Sequence, residues 1–162
     1  MKMKKIAVLG AGAVGSYVIW GLSKRDDISL GVVAEGERAN PLKNGCIING
    51  VTYHPEVWTP QEAQGADLLI ILSDINGLYS ADPRTDTNAQ VIREVRKIDA
   101  RIEQMAGGAG SALGSGGMAT KINAAKIATE AGVDMVIMNG RDPEQLYALF
   151  DGEPVGTHFM AE

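Results

Sequence analysis

The chain is poor in the residues that build disulfides and metal sites. It contains one cysteine, Cys46, and two histidines, His54 and His158. A single cysteine excludes an internal disulfide and the cysteine-rich zinc sites, and it fits the reducing cytosol. The histidines are far apart in the sequence and do not have the spacing of metal ligands. We therefore expect no metal site and a cytoplasmic protein.

Positive charge is also scarce. Lysine and arginine number 15 against 20 aspartates and glutamates, which gives a formal net charge of −5. Nucleic-acid binding normally needs a clustered positive face, and the sequence shows no such cluster. No segment reaches the roughly 18 uninterrupted apolar residues that indicate a membrane span. Neither a nucleic acid nor a membrane is therefore expected as a partner.

Aromatic residues make up only 5% of the 162 residues, whereas glycine is abundant, with 20 residues. This balance is typical of an α/β protein whose backbone makes several close approaches. The length predicts a single domain over residues 1–162. Strand-like and helix-like segments alternate, and the apolar run at residues 66–73 is typical of a central parallel strand. The pattern predicts a three-layer, doubly wound and mostly parallel sheet.

Shorter signals place other elements. Asn49-Gly50 between two apolar triplets predicts a hairpin, and the alanine-rich segment 118–131 predicts a long helix. Thr59-Pro60 followed by Glu62 predicts the start of a brief helix. The expected order of strands in one sheet is the hairpin, then 28–34, 5–9, 66–73 and 133–138.

The sequence GAGAVG lies between the first strand and the first helix and matches G-x-G-x-x-G with Gly10, Gly12 and Gly15. Gly10 permits a tight turn, Gly12 lets a pyrophosphate approach the backbone, and Gly15 lets the helix pack against the strand. Ala13 and Val14 complete this loop at the helix N-terminus, where unpaired N–H groups attract phosphates. We therefore predict that NADP or NAD binds here.

Two charged residues bear on the choice of cofactor. Glu35 lies 20 residues after Gly15, where an acidic side chain accepts hydrogen bonds from the adenosine ribose. It would also repel a 2′-phosphate, whereas Arg38 could attract one, so both cofactors remain open. The alternatives are a glycine turn kept for packing alone and a solvated Glu35.

Residues 1–70 contain KKIAVLGAGAVGSY, GVVAEGERA, NGCIINGVTYHPEVW and GADLLI, in that order. In sequence and spacing they resemble the N-terminal NADP-binding domain of ketopantoate reductase, also called 2-dehydropantoate 2-reductase. The resemblance implies a Rossmann-like first half. The catalytic lysine and glutamate of that family belong to a later helical domain, which is not recognisable in this sequence.

The second part contains SDINGLYSADPR at residues 73–84, a glycine-rich run at 105–132 and a closing GEPVGTHF. Over residues 66–161 these motifs resemble the glutamate 5-kinases of the amino-acid kinase family. The resemblance implies that Ser73 and Asp74 contact a nucleotide at the carboxyl end of a strand. It also implies that one segment wraps the phosphates of ATP, namely Ser115, Gly116, Gly117, Met118, Ala119, Thr120 and Lys121.

The residues themselves point to the same chemistry. Six glycines between positions 107 and 117 free the backbone to direct several N–H groups at one anion. Lys121 lies in the first turn of the next helix, where its ammonium would stabilise a transferring phosphoryl group. It is the only catalytic candidate. The alternative is a flexible glycine loop with a solvated lysine.

Together these patterns predict a chimera of the two families, joined within GADLLI. We expect a protein that binds a small-molecule nucleotide, NADP or NAD at one site and ATP at the other, without a complete catalytic site. The alternatives are an ATP-dependent phosphotransferase of the glutamate 5-kinase type and a folded recombinant or engineered protein without a ligand. Self-association into a homo-oligomer is a further expectation, because a hybrid leaves strand edges or apolar surface uncovered.

Overall fold

A computed structural model of the chain describes residues 5–9, 13–34, 36–107, 117–142 and 144–161. The chain divides into two compact units, Met1–Ala66 and Asp67–Glu162. Each unit combines parallel strands with helices, so the fold class is mixed α/β, as predicted. The expectation of one domain stays a prediction. Within the described ranges, no helix has the length and apolar character needed to cross a membrane.

The first unit has a small parallel sheet. β1 pairs with β2, and β5 pairs in parallel with the other edge of β2. Val8, Ile19 and Val32 form its buried cluster. The described elements are β1 (Lys5–Leu9), α1 (Ala13–Leu22), β2 (Ser29–Val33), a 3-10 turn (Gly36–Arg38), α2 (Ala39–Lys43), β3 (Cys46–Ile48), β4 (Val51–Tyr53) and β5 (Glu56–Trp58).

The position of β5 corrects the predicted order of strands, which placed the hairpin beside β2. The hairpin forms as predicted, but β3 and β4 make a separate two-stranded sheet. Trp58 at the end of β5 is buried, and its ring lies against Gly31 of β2. A Cβ at Gly31 would come within 2.1 Å of that ring. The glycine therefore makes room for the indole, and β5 takes the place expected for the hairpin.

The second unit has a four-stranded sheet in the order β6-β8-β9-β7. β6 and β8 are parallel, and β9 is antiparallel to β8. α4 packs on β8, and Ile122, Ala125 and Phe159 belong to the buried core. The described elements are β6 (Leu68–Ser73), β7 (Glu94–Val95), α3 (Ala100–Met105), α4 (Met118–Glu130), β8 (Asp134–Asn139), α5 (Gln145–Phe150) and β9 (Thr157–Phe159).

One predicted strand neighbour is confirmed at β6 and another is wrong. The pairing of segment 66–73 with segment 133–138 corresponds to β6 and β8. The predicted pairing of segment 5–9 with 66–73 does not occur, because β1 and β6 belong to different sheets among the described strands. The sheet of β1 and β2 and the sheet of β6 and β8 each contain a short strand that the sequence did not reveal, β5 and β7 respectively. The expected single sheet is therefore not formed by the described strands.

A buried threonine ties β9 to the segment that follows β6. The Thr157 hydroxyl accepts a hydrogen bond from Leu78 N at 2.8 Å and donates one to Ile92 O at 2.6 Å. Gly77, with φ 145°, makes room for it, because a Cβ there would lie 2.5 Å from Thr157 Oγ1. Ile92 N also donates to Leu78 O at 2.8 Å. The Thr157 hydroxyl and this backbone bond together therefore close the base of the loop at residues 78–92.

Valine at position 157 would keep the shape of threonine but leave one buried backbone group, Leu78 N, and one half-buried group, Ile92 O, without their partner. Each unsatisfied buried group costs about 1–3 kcal/mol. We expect Thr157→Val to lower the free energy of unfolding of the second unit by about 2–4 kcal/mol, measured by urea unfolding with circular dichroism. Thr87→Val, at an exposed position, is the control and should change it by less than about 0.5 kcal/mol. Indistinguishable midpoints for Thr157→Val and the parent would contradict this.

A reciprocal cap follows β5 in the first unit. Thr59 N and Thr59 Oγ1 both donate to Glu62 Oε2, at 2.7 and 2.9 Å, and Glu62 N donates to Thr59 Oγ1 at 3.3 Å. The backbone bond from Thr59, followed by the hydroxyl bond, lowers the pKa of Glu62. The brief helix predicted here is a single capped turn, with Ala63 N bonded to Thr59 O at 3.2 Å.

The cap should change the pH at which Glu62 titrates. We expect the Glu62 carboxyl carbon to titrate below the usual range of glutamate in an NMR pH titration. Because the folded-state pKa is lowered, the stabilisation is present above the pKa of the unfolded chain and is lost as the pH falls through the lowered value. Thr59→Ala should move the pKa part of the way back, since the N–H bond remains, and Thr52→Ala should leave it unchanged. Titration of the parent Glu62 in the usual range would contradict the cap.

Candidate functional site

The carboxyl ends of β6 and β8 lie side by side at one edge of the second unit's sheet. In their parallel register Ser73 stands opposite Asn139. Gly140 N donates to Ser73 O at 2.8 Å, so the pairing continues one residue beyond β8. Ligands of open α/β sheets bind in the crevice beyond the carboxyl ends of the strands. This edge is therefore the candidate site of the second unit.

Side-chain amides connect the loops that follow the two strands. Asn139 Nδ2 donates to Asn76 Oδ1 at 2.7 Å, and Asn76 Nδ2 donates to Tyr79 OH at 3.2 Å. Asn139 Oδ1 in turn accepts a hydrogen bond from Arg141 N at 3.0 Å. The loop after β6 is thereby fixed to the loop after β8. A bound molecule would meet an edge whose polar groups are already ordered.

Ser73 and Asp74 lie where the sequence predicted, at the end of a strand. Ser73 is the last residue of β6 and is half-buried, whereas Asp74 is exposed. Ser73 Oγ donates to Asp74 Oδ1 at 3.1 Å, which orients the carboxylate. The sequence prediction missed Asn76 and Asn139, although Asn139 follows a buried apolar run. In the described ranges, no group of three or more histidine, cysteine, aspartate or glutamate side chains is placed to hold a metal ion.

α4 begins at the same edge. It has 13 residues and is therefore about 20 Å long, and β8 spans a similar length with its 6 residues. A short turn at residues 131–133 joins them, and α4 packs back on β8. The N-terminus of α4 therefore lies at the same edge of the sheet as the carboxyl end of β8.

The predicted phosphate segment is described from residue 117 onwards. Gly117 is the N-cap of α4, and no side-chain hydrogen bond caps the helix. First-turn N–H groups of a helix lack backbone partners within it and favour an anion. The predicted residues that follow Gly117 are the first four of α4: Met118, Ala119, Thr120 and Lys121. Ser115 and Gly116 lie outside the described residues.

The predicted cofactor loop of the first unit is described only in part. Leu9 pairs with Val33, so β1 and β2 end at the same edge of their sheet. Both segments predicted to hold a cofactor follow this edge. Ala13, Val14 and Gly15 begin α1, Arg38 ends the 3-10 turn, and Gly10, Gly12 and Glu35 lie outside the described residues. Binding of NADP or NAD here stays a prediction.

Two protein families match this chain, each over a different part. Residues 6–74 match the family ketopantoate reductase PanE/ApbA, and residues 62–139 match the amino acid kinase family. The overlap at residues 62–74 contains β6. The two resemblances inferred from the sequence motifs are therefore confirmed, and they are consistent with a chimera.

Among curated proteins, glutamate 5-kinases match the second part. The protein of Clostridium perfringens is 53% identical over 97 residues, which are 60% of this chain and 36% of that protein. The protein of Clostridium tetani is 57% identical over 96 residues, 59% of this chain and 36% of that protein. The chain therefore spans only about a third of the length of these relatives.

A solved structure with a similar fold is uridylate kinase from Archaeoglobus fulgidus. Its TM-score is 0.50 at 16% sequence identity, and the match covers 97% of this chain and 100% of that chain. At such low identity the likeness concerns the fold alone. It supports a mixed α/β fold with parallel strands and does not confirm the Rossmann-like first half.

The bond between Asn76 and Asn139 can be tested by a double-mutant cycle. We expect Asn76→Ala and Asn139→Ala to be coupled by about 0.5–1 kcal/mol in urea unfolding, since each removes the same hydrogen bond. Asn123→Ala, at an exposed position of α4, combined with Asn139→Ala is the control and should be additive. Additivity of both pairs would contradict the bond.

Proposed function

We propose that the chain is a nucleotide-binding α/β chimera whose second unit binds ATP at the edge formed by β6, β8 and the start of α4. The observation that carries this proposal is the 53–57% identity of the second part to glutamate 5-kinases. The position of Ser73 and Asp74 at the end of β6 supports it. ATP is the nucleotide that the resemblance to those kinases implies.

The groups at this edge suit the two ends of a nucleotide. The first-turn N–H groups of α4 and the Lys121 ammonium offer positive charge to the phosphates. Ser73, Asn76 and Asn139 offer hydroxyl and amide groups to the polar atoms of the nucleoside. The glycine-rich segment 107–117 would let the backbone approach the phosphates closely.

We propose binding without phosphoryl transfer to glutamate. Phosphoryl transfer depends on holding the acceptor in line with the phosphate as well as on charge stabilisation. The residues that precede the kinase-like part of this chain match a reductase family. We infer that they stand in place of the segment that holds glutamate in the kinase family. The competing function is a working glutamate kinase with Lys121 as its catalytic residue.

A second binding function, for NADP or NAD in the first unit, is supported by the match of residues 6–74 to ketopantoate reductase. The loop at residues 10–15 and the segment with Glu35 and Arg38 follow the same sheet edge. Hydride transfer also requires a substrate held against the nicotinamide. The match covers the part of the chain that resembles the cofactor-binding domain, so cofactor binding is what we propose for it.

Calorimetric titration with ATP, ADP, NADH and NADPH tests both sites, and each site supplies the control for the other. We expect Lys121→Met to weaken ATP binding by roughly 10- to 150-fold, since a charge-assisted bond contributes about 1.5–3 kcal/mol, and to leave NADH and NADPH unaffected. Gly12→Val should abolish binding of the nicotinamide nucleotides and spare ATP, because its side chain occupies the space of the pyrophosphate. Lys43→Met removes an exposed lysine elsewhere and should change neither affinity.

Two results would overturn the proposal. The absence of heat with all four nucleotides would refute binding and favour a folded chain without a ligand. Formation of ADP that depends on added glutamate, and that is lost in Lys121→Met, would establish the kinase instead.

A further inference from the structure

A cavity of about 180 Å³ lies in the second unit, at the sheet edge opposite the carboxyl ends of β6 and β8. β9 runs antiparallel to β8, and β7 runs parallel to β9, so the ends of β7 and β9 lie where β8 begins. The walls are the segment after β7, the last turns of α4 and the residue after β9. The length of α4, about 20 Å, separates this cavity from the candidate nucleotide edge.

The rim of the cavity has more basic than acidic residues, whereas the chain as a whole has more acidic ones. Arg96, Lys97 and Lys126 face one carboxylate, Glu130, in a chain with 15 basic and 20 acidic residues. Arg96 Nε is paired with Glu94 Oε1 at 2.6 Å, and Lys126 is paired with Glu103. The dipole of α4 accounts for a cation near its C-terminus, such as Lys126. It does not account for Lys97, which lies in the segment after β7.

Lys97 is the basic residue of the rim that is available to bind a ligand. Its side chain is exposed and forms no hydrogen bond or ion pair with any residue in the part of the chain that the structure describes. The other two basic side chains of the rim already have carboxylate partners. A carboxylate that enters the cavity would therefore bind Lys97 without breaking an existing ion pair.

Three of the side chains that line the cavity are apolar. Val95 is buried, with 4% of its surface exposed, and Ile98 and Met160 are half-buried. The cavity is partly open to solvent, and its volume is similar to that of an enclosed engineered cavity of about 150 Å³ that holds benzene. We propose that this cavity binds a small organic carboxylate, with its apolar body against Val95, Ile98 and Met160 and its charged end at Lys97.

Benzoate is a suitable probe because it joins a ring of the right size to one carboxylate. Titration of the 15N-labelled full chain at millimolar benzoate should shift the amide signals of residues 95–98 and 126–130. Benzyl alcohol, which has no charge, and inorganic phosphate, which has no apolar body, should each bind more weakly. Saturating ATP should leave the benzoate affinity unchanged, so the result does not depend on nucleotide binding.

Three charge variants at exposed positions distinguish binding at this cavity from electrostatic attraction to the chain as a whole. We expect Lys97→Gln to weaken benzoate binding about fivefold, since an exposed charge contact contributes about 1 kcal/mol. Glu130→Gln should strengthen binding, because it removes the one negative charge of the rim. Lys43→Gln has the same charge change as Lys97→Gln in the first unit and should have no effect.

Unshifted signals at residues 95–98 and 126–130 would overturn the proposal. Equal weakening by Lys97→Gln and Lys43→Gln would also overturn it, since the attraction would then follow net charge alone. Phosphate that binds as well as benzoate would refute the role of the three apolar side chains.

Discussion

Parallel hydrogen bonding between β6 and β8 determines where the chemistry of the second unit can lie. The strand β8 is buried on both faces, so alternation of apolar and polar residues cannot fix its register. Polar groups at its two ends do this instead, because Asp134 sets β8 against β9 and Asn139 sets it against the loop that follows β6. Asp134 Oδ2 lies 3.0 Å from His158 Nε2, and Asp134 Oδ1 accepts from Ala161 N at 2.7 Å. Asn139 bonds Asn76 at the other end. This register keeps Ser73 and Asn139 at the same edge.

The partner of β8 in this pairing, β6, explains how one chain can resemble two families. The matches to ketopantoate reductase and to the amino acid kinase family overlap at residues 62–74, which include β6. An apolar parallel strand satisfies both families, so sequence from either side can be joined there without placing a charge in the interior. Each unit also has its own buried cluster, around Ile19 in the first and Phe159 in the second. Burial of apolar surface thus stabilises both parts of the hybrid.

Elements with long or distinctive patterns could be predicted from the sequence. Asn49-Gly50 identified the hairpin, continuous apolar runs identified β6 and β8, and an alanine-rich segment identified α4, each within a residue or two. β5 and β7 could not be predicted. They have only 3 and 2 residues, too few to show an alternation of apolar and polar residues, and their partner strands are distant in the sequence. At the candidate site, the motif located Ser73 and Asp74. The bond from Asn76 to Asn139 joins residues 63 positions apart, and no local pattern reveals it.

Native-state hydrogen exchange tests the central role of the β6–β8 pair most directly. We expect the slowest amides of the described second unit to be those of β8 and those of β6 that bond to β8, because their opening requires loss of the core. The β3–β4 hairpin, a separate two-stranded sheet, should exchange much faster. Exchange in β6 as rapid as that of the hairpin would contradict the claim that the β6–β8 pair fixes the candidate site.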